Sequence, residues 1–117
     1  MAESVVFERS KEFALKIINL YKQLSENKRE FVLSKQLLRS GTSIGANIAE
    51  SQFGQSRRDF IAKRSIAIKE ASESKYWLEL LVKSEYIDSE LYKELDNDVT
   101  VIIKMLTSSL KTLKLKE

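Results

Sequence analysis

The chain has no cysteine, no histidine and no proline, and glycine occurs only three times in its 117 residues. Without cysteine there is no disulfide framework and no thiol nucleophile, which fits a reducing cytosol. Without histidine the commonest general base and the commonest metal ligand are both missing. A zinc site would then have to be built from carboxylates alone, which is unusual chemistry for that ion. The lack of proline and scarcity of glycine remove the strongest helix breakers and favour long unbroken helices over a turn-rich β fold. No apolar run approaches the roughly 20 residues that cross a bilayer. The first residues carry Glu3 and Glu8 where a secretory signal needs a basic start and an apolar core. A soluble cytoplasmic protein is expected, with no metal, cofactor or membrane contact.

Hydrophobic residues make up 43% of the chain, enough for one continuous core at this length, so 1–117 is read as a single domain. Four segments show helical periodicity. In the first, from about Ser4 to Ser25, Val6, Phe13, Ile17, Leu20, Tyr21 and Leu24 recur at three- and four-residue steps, with Ser10 in the stripe and Ser4 as a candidate N-cap. The second runs from about Glu30 to Phe53 on Leu33, Leu37, Gly41, Ile44 and Ile48 and is closed by Gly54. The third follows a capping box, Ser56 to Asp59, and runs from Arg57 to about Glu85 on Phe60, Ala67, Ala71, Ser74, Leu78 and Leu81. The fourth starts at an Asp88 cap, with Ile87 able to pack on Tyr92, and continues through Leu95, Val99, Ile102, Leu106 and Leu110. Short connections between helices of this length predict an all-α, antiparallel up-down-up-down four-helix bundle.

The second helix is apolar or small most of the way round. Thr42, Gly45, Ala46 and Ala49 lie away from its central stripe, and a helix of that kind is buried on more than one side. Gly45, Ala46 and Ala49 are therefore candidate contacts with a second subunit. Gly41 and Gly45 match a small-xxx-small spacing, but the neighbouring Arg39, Asn47 and Glu50 exclude a membrane dimer motif. Beside the stripe, Gln36, Ser40, Ser43, Asn47 and Glu50 follow steps of four and three, and Glu70 and Glu73 hold comparable places on the third helix. Polar groups at core-like positions are costly unless paired. A buried network is expected, with Arg39 pairing to Glu50, Glu70 or Glu73 through its planar fork and fixing helix register. Paired carboxylates in a bundle can also hold two metals, but that arrangement uses histidine, which is absent. No enzyme is expected.

These residues carry a resemblance. Phe7–Ser10 with Phe13 and Ala14, Gln36–Ser40 through Ser43 and Ile44, Ala46–Glu50, and Glu70 with Trp77 and Leu78 resemble the four-helix-bundle family of 23S rRNA intervening-sequence proteins, over nearly the whole chain. The resemblance implies a small bundle that assembles as a ring-shaped homopentamer and has no known catalysis. A related branch, the accessory proteins of diversity-generating retroelements, implies a reverse transcriptase and nucleic acid as partners. Two departures stand out. Ser51 replaces a glycine common in the family, and the chain is less basic than the accessory branch.

In up-down-up-down order the third helix starts where the fourth ends. Arg57, Arg58, Lys63 and Arg64 then gather near Lys111 and Lys114, with Lys116 beyond and Lys104 a turn or two away. The formal charge of +3 is mild for one chain but becomes +15 in a pentamer, and repetition turns weak phosphate contacts into avidity. No aromatic residue interleaves this cluster, so any RNA or DNA binding is expected to be largely independent of sequence. The expectation is a homo-oligomeric, non-catalytic protein that meets nucleic acid at its basic end. The alternative is a protein-interaction module, such as a reverse transcriptase accessory subunit, without nucleic-acid contact.

Overall fold

Apolar residues at alternating steps of four and three give each segment one face that must leave water. The result is four helices: α1 (Ala2–Asn27), α2 (Leu33–Gln52), α3 (Arg57–Lys83) and α4 (Ser89–Leu115). The structure is a computed structural model that describes residues 2–115, with side chains from 5 to 113. Val6, Phe13, Ile17, Leu20 and Leu24 of α1 meet Leu37, Ile44 and Ile48 of α2 in one core. Ala67, Ala71, Leu78 and Leu81 of α3 and Leu95, Val99, Ile102 and Leu106 of α4 complete it. Each helix packs on its two neighbours, α1 on α2, α2 on α3, α3 on α4 and α4 on α1, and neither diagonal pair meets among the described residues. This is the antiparallel bundle the spacing predicts, elongated to 49 × 22 × 20 Å. No described helix is long and apolar enough to cross a membrane.

The helix ends show which local signals operate. Ser56 accepts a hydrogen bond from the Asp59 N–H at 3.1 Å and Asp88 accepts one from the Leu91 N–H at 2.8 Å, as the capping reading expects. Ser4, expected at the N-cap, falls inside α1, which begins at Ala2, and its side chain lies outside the described residues. The start of α2 is set by Glu30, whose carboxylate accepts from the N–H groups of Val32, Leu33 and Ser34 at 3.1, 3.0 and 2.8 Å. Glu30 thus lies outside the helix it was expected to open. Gly54 follows the end of α2 without a positive φ. It serves close approach instead: a Cβ there would lie 3.3 Å from the Asp59 Cβ and from the Ser51 carbonyl oxygen.

Gly45 answers differently from its sequence reading. It is buried inside its own bundle, where an added Cβ would sit 2.9 Å from the Ser10 hydroxyl. It is an α1–α2 contact and not a surface for a second subunit. Ala46 is exposed and Ala49 half-buried, so only these two of the three candidates remain available to a partner.

Candidate nucleic-acid interface

The polar stripe of α2 splits into an inner and an outer row. Ser40 is fully buried and shares a 2.9 Å hydrogen bond with the buried Ser74 hydroxyl of α3. The rest of the expected buried network is half-buried or exposed. Gln36 and Glu50 are exposed, and Ser43, Asn47, Glu70 and Glu73 are half-buried. Ser43 and Asn47 spend their side chains on their own helix, donating to the carbonyls of Arg39 and Ser43 at 2.6 and 2.8 Å. Arg39 reaches Glu70 at 3.3 Å and also Glu73, with its own side chain 53% exposed. The pair therefore clips α2 to α3 from outside the core. The Trp77 indole N–H, 2.9 Å from Glu73, is the main reason that carboxyl lies below the usual range. Partial burial works against the shift and Arg39 adds to it. Glu50 binds Lys63 at 2.8 Å one turn from the end of α2.

Arg64 is the largest correction to the basic cluster. It was expected at the surface but has 0% of its area in solvent. Its Nε donates to the Ser51 hydroxyl at 3.0 Å and its guanidinium lies 4.6 Å from the Phe60 ring centre. Ser51, the departure from the family's glycine, is itself buried and donates to the Ile48 carbonyl at 2.6 Å. The sequence carried the signal: Arg64 fills the gap in the stripe Phe60, Ala67, Ala71, Ser74, four residues after one member and three before the next. A charged residue at a core position is read as solvated by default, and that default misplaces it.

The remaining cations keep their places. Arg57, Arg58, Lys104 and Lys111 are exposed, Lys63 is half-buried against Glu50, and the Lys114 side chain lies outside the described residues. Arg58, Lys104 and Lys111 form no ion pair among the described residues. Elsewhere cations are taken up by acids: Lys16 by Glu94 and Asp98, Lys75 by Asp96, Arg39 by Glu70 and Glu73. Among the described residues, the half of the bundle made by residues 2–14, 43–70 and 101–115 holds 10 Lys and Arg against 6 Asp and Glu. The opposite half holds 9 against 10, with the acidic start of α4 in it.

Sequence reasoning also missed Phe53. It stands in the α2–α3 turn within the basic half, 84% exposed, although no aromatic residue was expected there. It lies about 140° around the helix from the core residue Ile48 at 100° per residue, so its exposure was readable from spacing.

Fold and surface together define a class: an antiparallel four-helix bundle with an ionic clip between its second and third helices and one basic end. The chain belongs to the 23S rRNA-intervening sequence protein family, whose model matches residues 2–108. It is similar to a solved protein of unknown function from the S23 ribosomal protein family of Bacteroides thetaiotaomicron. The two are 57% identical, with a TM-score of 0.94 over 95% of this chain and 99% of that one. No curated protein matches it.

Proposed function

We propose that the protein is a non-catalytic, cytoplasmic homo-oligomer that associates with nucleic acid through its basic end. The observation that carries this reading is the set of exposed cations Arg58, Lys104 and Lys111, free of ion pairs among the described residues in the half of the bundle with excess positive charge. Phosphate contacts of this kind need no shaped pocket and give binding that weakens steeply with salt. Assembly into a ring, with five copies as the family resemblance implies, repeats the basic end in every subunit. Exposed Ala46 and the 42% exposed Ile66 supply apolar surface for such assembly. The carboxylates that invite an enzyme reading, Glu70 and Glu73, are engaged with Arg39 and Trp77.

The test is an anisotropy titration of structured RNA and duplex DNA at two salt concentrations, with light scattering to check assembly. The variant carries Arg58→Glu, Lys104→Glu and Lys111→Glu and leaves the buried Arg64 intact. Loss of binding with assembly retained supports the reading. An assembled variant that binds as wild type removes this end as the interface. Wild-type protein that binds neither ligand at low salt favours the protein-interaction alternative, with a reverse transcriptase as one candidate partner.

A further inference from the structure

Phe53 is the most exposed of the large hydrophobic residues among the described residues. Burying such a ring is worth about 1.5–3 kcal/mol to a fold, and here the bundle forgoes that gain. The turn does not require an aromatic residue: Gly54 permits the close approach to α3, and Ser56 caps it. What surrounds the ring is polar and carries charge of both signs. Phe53 borders a cleft of about 440 Å³ with Ala49, Gln55 and Lys63. Arg57 and Arg58 follow at the first positions of α3, and Gln52 precedes the ring at the end of α2.

An exposed aromatic face with the exposed Arg58 five residues further along the chain suits one ligand chemistry better than others. Unpaired nucleic acid offers a flat base to stack and phosphates to neutralise, and proteins that bind single strands combine these two elements. A continuous duplex offers the phosphates but keeps its base faces stacked inside. We propose that Phe53 is a stacking platform for an unpaired nucleobase whose phosphates are met by Arg58, so that the basic end takes looped or single-stranded segments in preference to duplex. This rests on the basic-end reading above and narrows its ligand. Two carboxylates, Glu50 and Asp59, border the same cleft. Glu50 is held by Lys63, and the Asp59 carboxylate repels phosphate, so the cleft itself is left to the base and the phosphates fall to Arg58 outside it. Phe31, 49% exposed, offers the natural control, because it lies at the opposite end with the acidic start of α4.

The experiment compares a short unpaired oligonucleotide with a duplex of the same length, by anisotropy on the assembled protein. The variants are Phe53→Ala, Phe53→Tyr, Phe31→Ala and the pair Arg58→Glu with Lys111→Glu. Phe53→Ala is expected to weaken the unpaired ligand about tenfold, from the usual worth of one stacked base, and to leave the duplex nearly unchanged. Phe53→Tyr restores the affinity, and Phe31→Ala has no effect. If Phe53→Ala keeps full affinity for the unpaired ligand while the charge pair abolishes it, stacking is overturned and the basic-end reading stands. If wild type binds neither ligand, both fall. If Phe53→Ala lowers the assembled mass in light scattering, the ring belongs to a contact between copies, which also overturns the proposal.

Discussion

Arg64 and Arg39 carry the same guanidinium in opposite surroundings. Arg64 is enclosed, bonded to Ser51 and stacked over Phe60. Truncating it removes a large core side chain, and Arg64→Ala is expected to cost about 2–4 kcal/mol by chemical denaturation. Arg39 is half in solvent, so its pairs with Glu70 and Glu73 are screened. Arg39→Ala is expected to cost under about 1 kcal/mol, well below the roughly 3–5 kcal/mol of a buried pair. Both must be measured at one protein concentration, because assembly makes apparent stability depend on it. An Arg64→Ala change within about 0.5 kcal/mol of wild type would contradict its core placement. Glu30 gives a pH test. Burial pushes its carboxyl up, but the N–H groups of Ser34, Leu33 and Val32 outweigh burial and hold it below its ordinary value of 4.5. A carboxyl lowered in the fold adds stability above the unfolded value, and that stability is lost as pH falls through the folded one. Glu30→Gln is therefore expected to cost about 1 kcal/mol at neutral pH, with the difference from wild type shrinking below pH 4.5. A difference that stays constant into acid would rule out the carboxylate as the cap.

At the scale of the helices, the α1–α2 contact depends on Gly45 facing Ser10. A Cβ at Gly45 would lie 2.9 Å from the Ser10 hydroxyl, itself bonded to the Phe7 carbonyl at 2.6 Å, but 3.5 Å from the Ser10 Cβ. The clash in Gly45→Ala thus sits on one oxygen, against a helix-propensity gain of about 1 kcal/mol. Adding Ser10→Ala removes that oxygen, so the double variant should be more stable than Gly45→Ala alone by about 1 kcal/mol or more. Independent, additive effects would show that the two helices do not meet there. The elements themselves were legible, because period determines which face is buried and caps such as Ser56 and Asp88 are local chemistry. Gly45 was not, since a small residue reads alike whether it faces α1 or a second subunit. Glu30 was missed as a cap because its three partners follow it closely in a segment that was read as helix already.

For the whole molecule, topology converts a scattered sequence pattern into two unlike ends. The antiparallel order brings the start of α3 beside the finish of α4, and this part of the site could be read from sequence because it needs only helix order. The membership of the cluster could not: Arg64 left it for the core, Lys63 was taken up by Glu50, and Phe53 entered it. Where nucleic acid meets the bundle is tested most directly by photocrosslinking of wild-type protein to an RNA with unpaired loops, with the adducts mapped by mass spectrometry. Binding at the basic end predicts adducts on the α2–α3 turn around Phe53 and Arg58 and on α4 near Lys104 and Lys111, diminishing as salt is raised. Adducts concentrated instead on residues 22–35 at the opposite end, or unaffected by salt, would contradict it.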